Sequence, residues 1–130
     1  YDDSKATNVG AAVAALDGLA PSVRRIVLIA GGKDKGGDYA PLRERLAACG
    51  GGVVLIGEAR EIIARALAGA AYPIEQAESL EAAVVRARAL AQSSDAVLLA
   101  PACASFDMFR SYAQRGDVFQ AAVHGLRGDA

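Results

Sequence analysis

Short apolar runs alternate with amphipathic segments along the chain. The run Arg25 to Ala30 (RIVLIA) is continuously apolar after its first residue and rich in β-branched side chains. Such a run is typical of a strand that is buried on both faces of a parallel sheet. Three further runs predict the remaining strands: Val53 to Ile56, Tyr72 to Glu75 and Asp95 to Ala100. The run Tyr72 to Glu75 is the weakest of these predictions.

Apolar residues recur at helical spacing between these runs. In the segment Ala6 to Leu19 they lie at positions 9, 12, 13 and 16, and Asp3 or Ser4 is available as the N-cap. Each strand is followed by a further predicted helical segment. These segments are a helix capped by Asp38 that ends before Gly50, Glu58 to Leu67, a helix capped by Ser79 that extends to Leu90, and one or two helices between Phe106 and Leu126 that are broken near Gly116.

The elements therefore alternate between helix and strand, beginning and ending with a helix. That order predicts an α/β fold with a Rossmann-like, open and mainly parallel sheet that has helices on both faces. With 130 residues the chain has the size of one domain, so residues 1–130 are expected to form a single domain around one core.

Composition excludes several classes of function. Lys and Arg number 14 against 15 Asp and Glu, and a net charge of -1 does not give the positive field of a general nucleic-acid-binding protein. No apolar run approaches the ~20 residues of a membrane helix, so no membrane insertion is expected. Two cysteines and one histidine give neither a disulfide framework nor a zinc spacing, and a cytoplasmic location is the default.

The N-terminus has neither the basic and apolar regions of a signal peptide nor an initiator Met. The chain is therefore interpreted as a cut or processed piece of a longer protein. In that case part of an active site would lie elsewhere in that protein.

Ligands of open parallel sheets bind beyond the carboxyl ends of the strands, where loops converge. Three segments qualify: Asp3 to Asn8, Gly31 to Asp38, and Pro101 to Asp107. All three lysines of the chain, at positions 5, 33 and 35, lie in the first two of these segments. Lysine suits a carboxylate or a phosphate, and a glycine-rich turn lets backbone N–H groups approach an anion, although solvated loop lysines are an equal alternative.

The glycine-rich loop GGKDKGGD has neither the spacing of a phosphate-binding P-loop nor that of a dinucleotide fingerprint, so ATP hydrolysis cannot be assigned to it. Cys103 is interpreted as a small buried residue rather than a nucleophile, and His124 as structural or surface. Arg110, Arg115 and Asp117 are expected on a solvated helix face.

Three motifs together carry a resemblance to a known family. They are DSKATN at 3–8, APACASFDMF at 100–109 followed by QRG at 114–116, and the lysine loop GGKDKGGDYAPL that begins at Gly31. In this order they resemble the C-terminal domain of the D-glutamate-adding Mur ligases of peptidoglycan synthesis, and the match spans nearly the whole chain.

The resemblance implies a cytoplasmic enzyme of three domains, of which only the last is present here. Its partners would be the other domains of the same protein, D-glutamate and UDP-N-acetylmuramoyl-L-alanine. ATP and Mg2+ would be bound mainly by the missing central domain, and the reaction would pass through an acyl phosphate that the amine of D-glutamate attacks. This domain alone would hold no catalytic residue and no metal ligand, and the isolated chain would be inactive.

The same resemblance implies roles for individual residues. Those implied to bind D-glutamate are Thr7, Lys35, Ser105, Phe106 and Tyr112, the last standing where the family commonly has phenylalanine. Those implied to contact the nucleotide or its phosphates when the domains close are Asp3, Lys5 and Asn8. Lys33 lies beside Lys35, and the choice of Lys35 rests on its spacing from the glycines.

One alternative from another class stays open at this point. The same loops could form a stand-alone Rossmann-like module that binds a small anion or a nucleotide without catalysis. A phosphoacceptor receiver domain of similar size does not fit, because no aspartates cluster at the tips of the first and third predicted strands.

Overall fold

The computed structural model describes residues 1–33, 38–92, 94–103 and 111–128. Within these residues the strands are β1 (Ile26–Gly31), β2 (Gly50–Ile56), β3 (Ile74–Gln76) and β4 (Ala96–Leu99). The helices are α1 (Val9–Leu19), α2 (Ala40–Cys49), α3 (Arg60–Ala66), α4 (Leu80–Leu90) and α5 (Tyr112–Gly128), with a 3-10 turn at Ala20–Ser22. Helix and strand alternate as predicted.

The four strands form one sheet in the order β3-β2-β1-β4, and every neighbouring pair is parallel. Leu28 in the middle of β1 pairs with Val53 on one side and with Leu98 on the other. Chain order reverses at β1, because β2 and β3 extend the sheet in one direction and β4 adds to the opposite side. The predicted α/β fold with an open parallel sheet is confirmed.

Two layers of helices cover the sheet. On one face Ile26, Leu28 and Ala30 pack with residues of α1, α2 and α3, and on the other face Val27 and Ile29 pack with α4 and α5. All five of these β1 side chains are fully buried. Burying a branched aliphatic side chain contributes roughly 1.5–3 kcal/mol, so the continuous apolar run of β1 stabilises both layers at once.

The first helix begins later than the sequence predicts. Its N-cap is Asn8, whose Oδ1 accepts a hydrogen bond of 2.8 Å from the Ala11 N–H. The prediction of Asp3 or Ser4 as N-cap is wrong, because the first residues pair with the edge of the sheet instead. Asp2 forms a parallel bridge with Leu99 of β4, so this segment is extended rather than helical.

The last helix is continuous from Tyr112 through Gly116, so the predicted break there is wrong. A Cβ at Gly116 would lie 2.8 Å from the Asp2 carboxylate oxygen Oδ2. The glycine therefore permits a close approach between α5 and the N-terminal residues, and packing outweighs its poor helix propensity. The part of the predicted helix before residue 111 lies outside the described residues.

The remaining boundaries shift by a few residues. The glycines after α2 do not only end the helix, because β2 already starts at Gly50, which pairs with Ile26. Ser79 caps α4 as predicted, accepting a hydrogen bond of 3.1 Å from the Ala82 N–H. Among the described residues, none of the helices has the length and apolar character needed to cross a bilayer.

Candidate functional site

The carboxyl ends of β1 and β4 lie side by side where strand order reverses, which is the place where open parallel sheets bind ligands. The Gly31 N–H, at the end of β1, donates to the Pro101 carbonyl after β4 at 2.9 Å. Gly31 has φ +120, and a Cβ there would overlap the carbonyl oxygen of Ile56 at the end of β2. Because Gly31 has no side chain, the end of β1 can lie close to the end of β2 while it is hydrogen-bonded to the segment after β4.

The two ends of the lysine loop are both anchored to the segment that follows β4. One anchor is the hydrogen bond from Gly31 to Pro101. The other is Tyr39, whose hydroxyl lies 3.3 Å from the Cys103 Sγ in the buried interior. Cys103 itself is fully buried, as the sequence predicts. The chain between these anchors therefore starts and ends at the carboxyl edge of the sheet.

The N-terminal segment reaches the same edge by running beside β4. The Leu99 N–H donates to the Tyr1 carbonyl at 2.9 Å, and the Asp3 N–H donates to the Leu99 carbonyl at 2.8 Å. Three residues later the Ala6 carbonyl accepts from the Ala102 N–H at 2.9 Å. These bonds place residues 4–8 directly beside the segment that follows β4.

A buried arginine fastens these two segments to α5. Arg115 is only 1% exposed, and its Nε and Nη2 donate to the hydroxyl and carbonyl oxygens of Ser4 at 3.0 and 2.8 Å. Its Nη1 donates to the Cys103 carbonyl at 3.1 Å. The Ser4 hydroxyl in turn donates to the Tyr112 carbonyl at 2.6 Å. The prediction that Arg115 lies on a solvated face is wrong.

Helical spacing is a signal that could have revealed this burial. Arg115 lies four residues before Phe119, which is 3% exposed and belongs to the apolar core under α5. Positions four apart share one helix face, so Arg115 lies on the inward face. Arginine is rarely buried without hydrogen-bond acceptors, and the acceptor Ser4 is 111 residues away in sequence. His124, in contrast, is exposed, within the predicted alternatives.

Three of the predicted site residues line one cleft of about 240 Å3 between the N-terminal segment and α5. They are Asp3, Lys5 and Tyr112, and Tyr112 is 52% exposed. Asp2 and Asp117 line it as well, so carboxylates outnumber the single ammonium group there. An anionic ligand in this cleft would therefore need additional cations from outside it.

Two further predicted site residues, Thr7 and Asn8, lie in the N-terminal segment after Lys5. The Thr7 side chain is half-buried, and its N–H donates to the Lys5 carbonyl at 2.9 Å. The Asn8 side chain caps α1, a local structural role that the resemblance did not imply. Its predicted nucleotide contact stays a prediction.

The remaining predicted residues, Lys35, Ser105 and Phe106, lie outside the described residues, and their predicted contacts with D-glutamate stay predictions. Lys33 is described and its side chain is exposed just after β1. Among the described residues, no group of three or more His, Cys, Asp or Glu side chains is placed to hold a metal ion.

Residues 1–103 match the family model described as "Mur ligase, glutamate ligase domain". Two similar curated proteins, both named UDP-N-acetylmuramoylalanine--D-glutamate ligase, come from Aromatoleum aromaticum and Marinobacter nauticus. They are 58% and 53% identical over 97% and 96% of this chain. The chain spans 26% and 28% of their lengths, about a quarter of each curated relative.

A solved structure has a similar fold. It is a domain of a Haemophilus ducreyi protein that has been assigned provisionally as a UDP-N-acetylmuramate:L-alanyl-gamma-D-glutamyl-medo-diaminopimelate ligase. It superposes with a TM-score of 0.61 at 20% identity. The match covers 94% of this chain and 89% of that domain. At this identity the likeness concerns the fold alone.

Proposed function

The chain belongs to the Mur ligase family, as a glutamate ligase domain, and we propose that it is the D-glutamate-binding domain of a ligase that adds D-glutamate to UDP-N-acetylmuramoyl-L-alanine. The observation that carries the proposal is the identity of more than half the residues, over nearly the whole chain, to proteins named for that reaction. The geometry supports it, because residues of all three motifs meet at one edge of the sheet.

In the proposed reaction, ATP converts the carboxylate of UDP-N-acetylmuramoyl-L-alanine into an acyl phosphate. The amine of D-glutamate attacks that carbonyl, and phosphate leaves after a tetrahedral intermediate. D-Glutamate must therefore be held with its amine near the acyl phosphate and with both of its own carboxylates neutralised. This chain would supply the groups that hold the carboxylates.

ATP and Mg2+ would be bound mainly by another domain of the same protein. The described residues supply no cluster of carboxylates or imidazoles suited to Mg2+, and the loop after β1 lacks the P-loop spacing. Lys5 and Asp3, exposed and half-buried in the cleft beside α5, are the proposed contacts to the nucleotide when the domains close. No chemical step is therefore assigned to these side chains.

D-Glutamate would be bound by donors from the three converging segments. Thr7 from the N-terminal segment, Lys35 from the lysine loop and Ser105 after β4 can each donate to a carboxylate oxygen. The aromatic rings of Phe106 and Tyr112 would border the aliphatic part of the substrate. The anchoring of all three segments at the carboxyl edge supports this arrangement.

Arg115 is the proposed positioning residue of this site. It binds Ser4 on one segment and Cys103 on the other, so the two segments keep a fixed separation. Thr7 lies three residues from Ser4, and Ser105 lies two residues from Cys103. The hydrogen bonds of the Arg115 guanidinium order the segments that carry Thr7 and Ser105 before the substrate binds. This order lowers the entropy cost of binding.

The test is the substitution Lys35→Ala in the full-length protein, with steady-state kinetics for each substrate. Loss of a charge-assisted contact costs roughly 1.5–3 kcal/mol, so the KM for D-glutamate should rise about 10- to 100-fold while the KM for ATP changes little. Lys33→Ala is the matched control, with a small effect on both constants. An unchanged KM for D-glutamate in Lys35→Ala, combined with a large rise in Lys33→Ala, would move the carboxylate contact to Lys33.

A further inference from the structure

A second pocket, of about 490 Å3, lies at the opposite edge of the sheet, where the strands begin. Its volume falls in the ~300–1,000 Å3 range of small-molecule sites. β1 is six residues long, so roughly 20 Å of strand separates this edge from the carboxyl edge. The lining residues come from the start of β1, from α2, from the start of β2 and from the α3–β3 connection: Arg25, Arg43, Ala47, Gly50, Gly51, Gly69, Ala70, Ala71, Tyr72 and Pro73.

The charge of this pocket comes from two arginines, Arg25 and Arg43. Neither side chain takes part in an ion pair or a hydrogen bond within the part of the chain that the structure describes. Their neighbours in sequence differ, because Arg24 pairs with Asp95 at 3.1 Å and Arg45 pairs with Asp17 at 2.9 Å. The pocket therefore presents two guanidinium groups without a carboxylate of their own.

The Asp95 carboxylate lies near this arrangement, since its Oδ2 would lie 3.7 Å from a Cβ placed on Gly51. That oxygen already accepts from the Gln92 N–H at 2.9 Å and from Arg24 at 3.3 Å. The Asp95 carboxylate is therefore already hydrogen-bonded to the turn that precedes β4 and to Arg24.

The wall of the pocket also contains Tyr72. The Tyr72 hydroxyl is buried and has no hydrogen-bond partner among the described residues. Burial raises the pKa of Tyr72 above its ordinary value, and the charge of Arg43 opposes that rise. At neutral pH the hydroxyl is therefore a protonated donor. The hydroxyl oxygen is closed off from solvent, so it is not a polar contact for a ligand in the pocket. The Arg43 Nη2 would lie 3.6 Å from a Cβ placed on Gly69, which also lines the pocket.

We propose that this pocket binds a phosphate monoester, with the phosphate between Arg25 and Arg43 and the organic group against Ala47, Tyr72 and Pro73. Guanidinium groups bind phosphate oxygens through paired, charge-assisted hydrogen bonds. Phosphate alone would leave the apolar wall of the pocket uncovered. The site would be separate from the one proposed for D-glutamate.

The experiment is a titration of the isotope-labelled chain with phenyl phosphate, followed by backbone amide chemical shifts at constant ionic strength. We expect saturable shifts at residues 50–51 and 69–72 and none at Lys5 or Lys33. Inorganic phosphate should bind more weakly, because it lacks the ring, and phenol should not bind. The spectrum of the free chain reports in the same experiment that the protein is folded.

Arg43→Gln should weaken the binding of phenyl phosphate about 10- to 100-fold, since it removes a charge-assisted contact. Arg88→Gln, on the exposed side of α4, is the matched control and should leave the affinity unchanged. Equal affinities in the two variants would overturn the proposal. So would shifts confined to Lys5 and Lys33, an absence of saturable shifts, or inorganic phosphate binding as tightly as phenyl phosphate.

Discussion

Arg115 joins segments that are far apart in the sequence, and its hydrogen bonds to Ser4 and Cys103 replace the water that the guanidinium loses on burial. Cutting the side chain back would leave the two carbonyl groups buried without this donor. A buried acceptor left unsatisfied costs about 1–3 kcal/mol, so several lost bonds add up to a substantial loss.

We therefore expect Arg115→Met to lower the free energy of unfolding by about 2–4 kcal/mol, measured by urea denaturation. Arg88→Gln, an exposed arginine, should change it by less than about 0.5 kcal/mol. In the full-length protein, Arg115→Lys should raise the KM for D-glutamate more than the KM for ATP, because it loosens the segments that carry Thr7 and Ser105. A variant as stable as the parent would contradict the structural role.

Two titrating groups near the edge where the strands begin, the Cys49 thiol and the Tyr72 hydroxyl, make the free energy of unfolding sensitive to alkaline pH. Burial raises the pKa of the Cys49 thiol above its ordinary value of 9.0, and the negative charge of Asp17 adds to the rise. Burial likewise raises the pKa of the Tyr72 hydroxyl above 10.0, against the opposing charge of Arg43. In both cases the folded state holds the proton more tightly than the unfolded state does.

The contribution of these groups is therefore fully present below about pH 9 and is lost as pH rises through the folded-state pKa values. The free energy of unfolding should decline from about pH 9 upward in urea denaturation. The double variant Cys49→Ser/Tyr72→Phe should show a shallower decline. The same alkaline slope in parent and double variant would sink this explanation.

At the scale of single residues, the sequence predicts some structural roles and misses others for a physical reason. Cys103 is predicted as a small buried residue rather than a nucleophile, because the only histidine lies far along the chain, and the side chain is buried. Arg115 is missed although its spacing from Phe119 indicates the inward helix face, because arginine is rarely buried and its acceptor Ser4 is distant in the sequence. The roles of Lys35 and Ser105 come from the resemblance, and they stay predictions.

At the scale of elements, Gly31 controls how the carboxyl ends of the strands converge. Its φ of +120 is in a region that side chains other than glycine rarely adopt, and a Cβ there would overlap the Ile56 carbonyl. Both effects act at the turn that leads from β1 into the lysine loop. The turn therefore requires glycine.

Gly31→Ala should destabilise the chain by about 3 kcal/mol or more, measured by thermal or urea unfolding. Gly18→Ala offers a matched control, because Gly18 is exposed in α1 and a Cβ there would meet nothing within 4 Å. That substitution should be neutral or stabilise the helix by up to about 1 kcal/mol. Equal effects of the two substitutions would contradict the requirement for glycine at the turn.

Elements whose burial is complete were predictable from the sequence. The apolar runs of β1 and β2 read as strands because both faces of each are covered by helices. Boundaries were less predictable where a distant segment competes with local preference. The N-cap shifts to Asn8 because Asp2 pairs with Leu99, and α5 continues through Gly116 because that glycine contacts Asp2.

At the scale of the whole molecule, the chain matches about a quarter of the length of its relatives. The proposed ligase needs ATP and a UDP-linked acceptor, and the described residues offer no Mg2+ ligand cluster. We propose a division of labour in which this chain binds D-glutamate and other domains of the same protein bind the nucleotide and the acceptor. Domain closure would then bring the amine to the acyl phosphate.

The most direct measurement is phosphate release by the full-length protein with ATP, Mg2+ and UDP-N-acetylmuramoyl-L-alanine. D-Glutamate would be compared with L-glutamate and with other D-amino acids, and the 130-residue chain alone would serve as the control. We expect release with D-glutamate only, and none from the chain alone. Release with a different amino acid, no release from a verified folded protein, or ligation by the chain alone would contradict the proposed function.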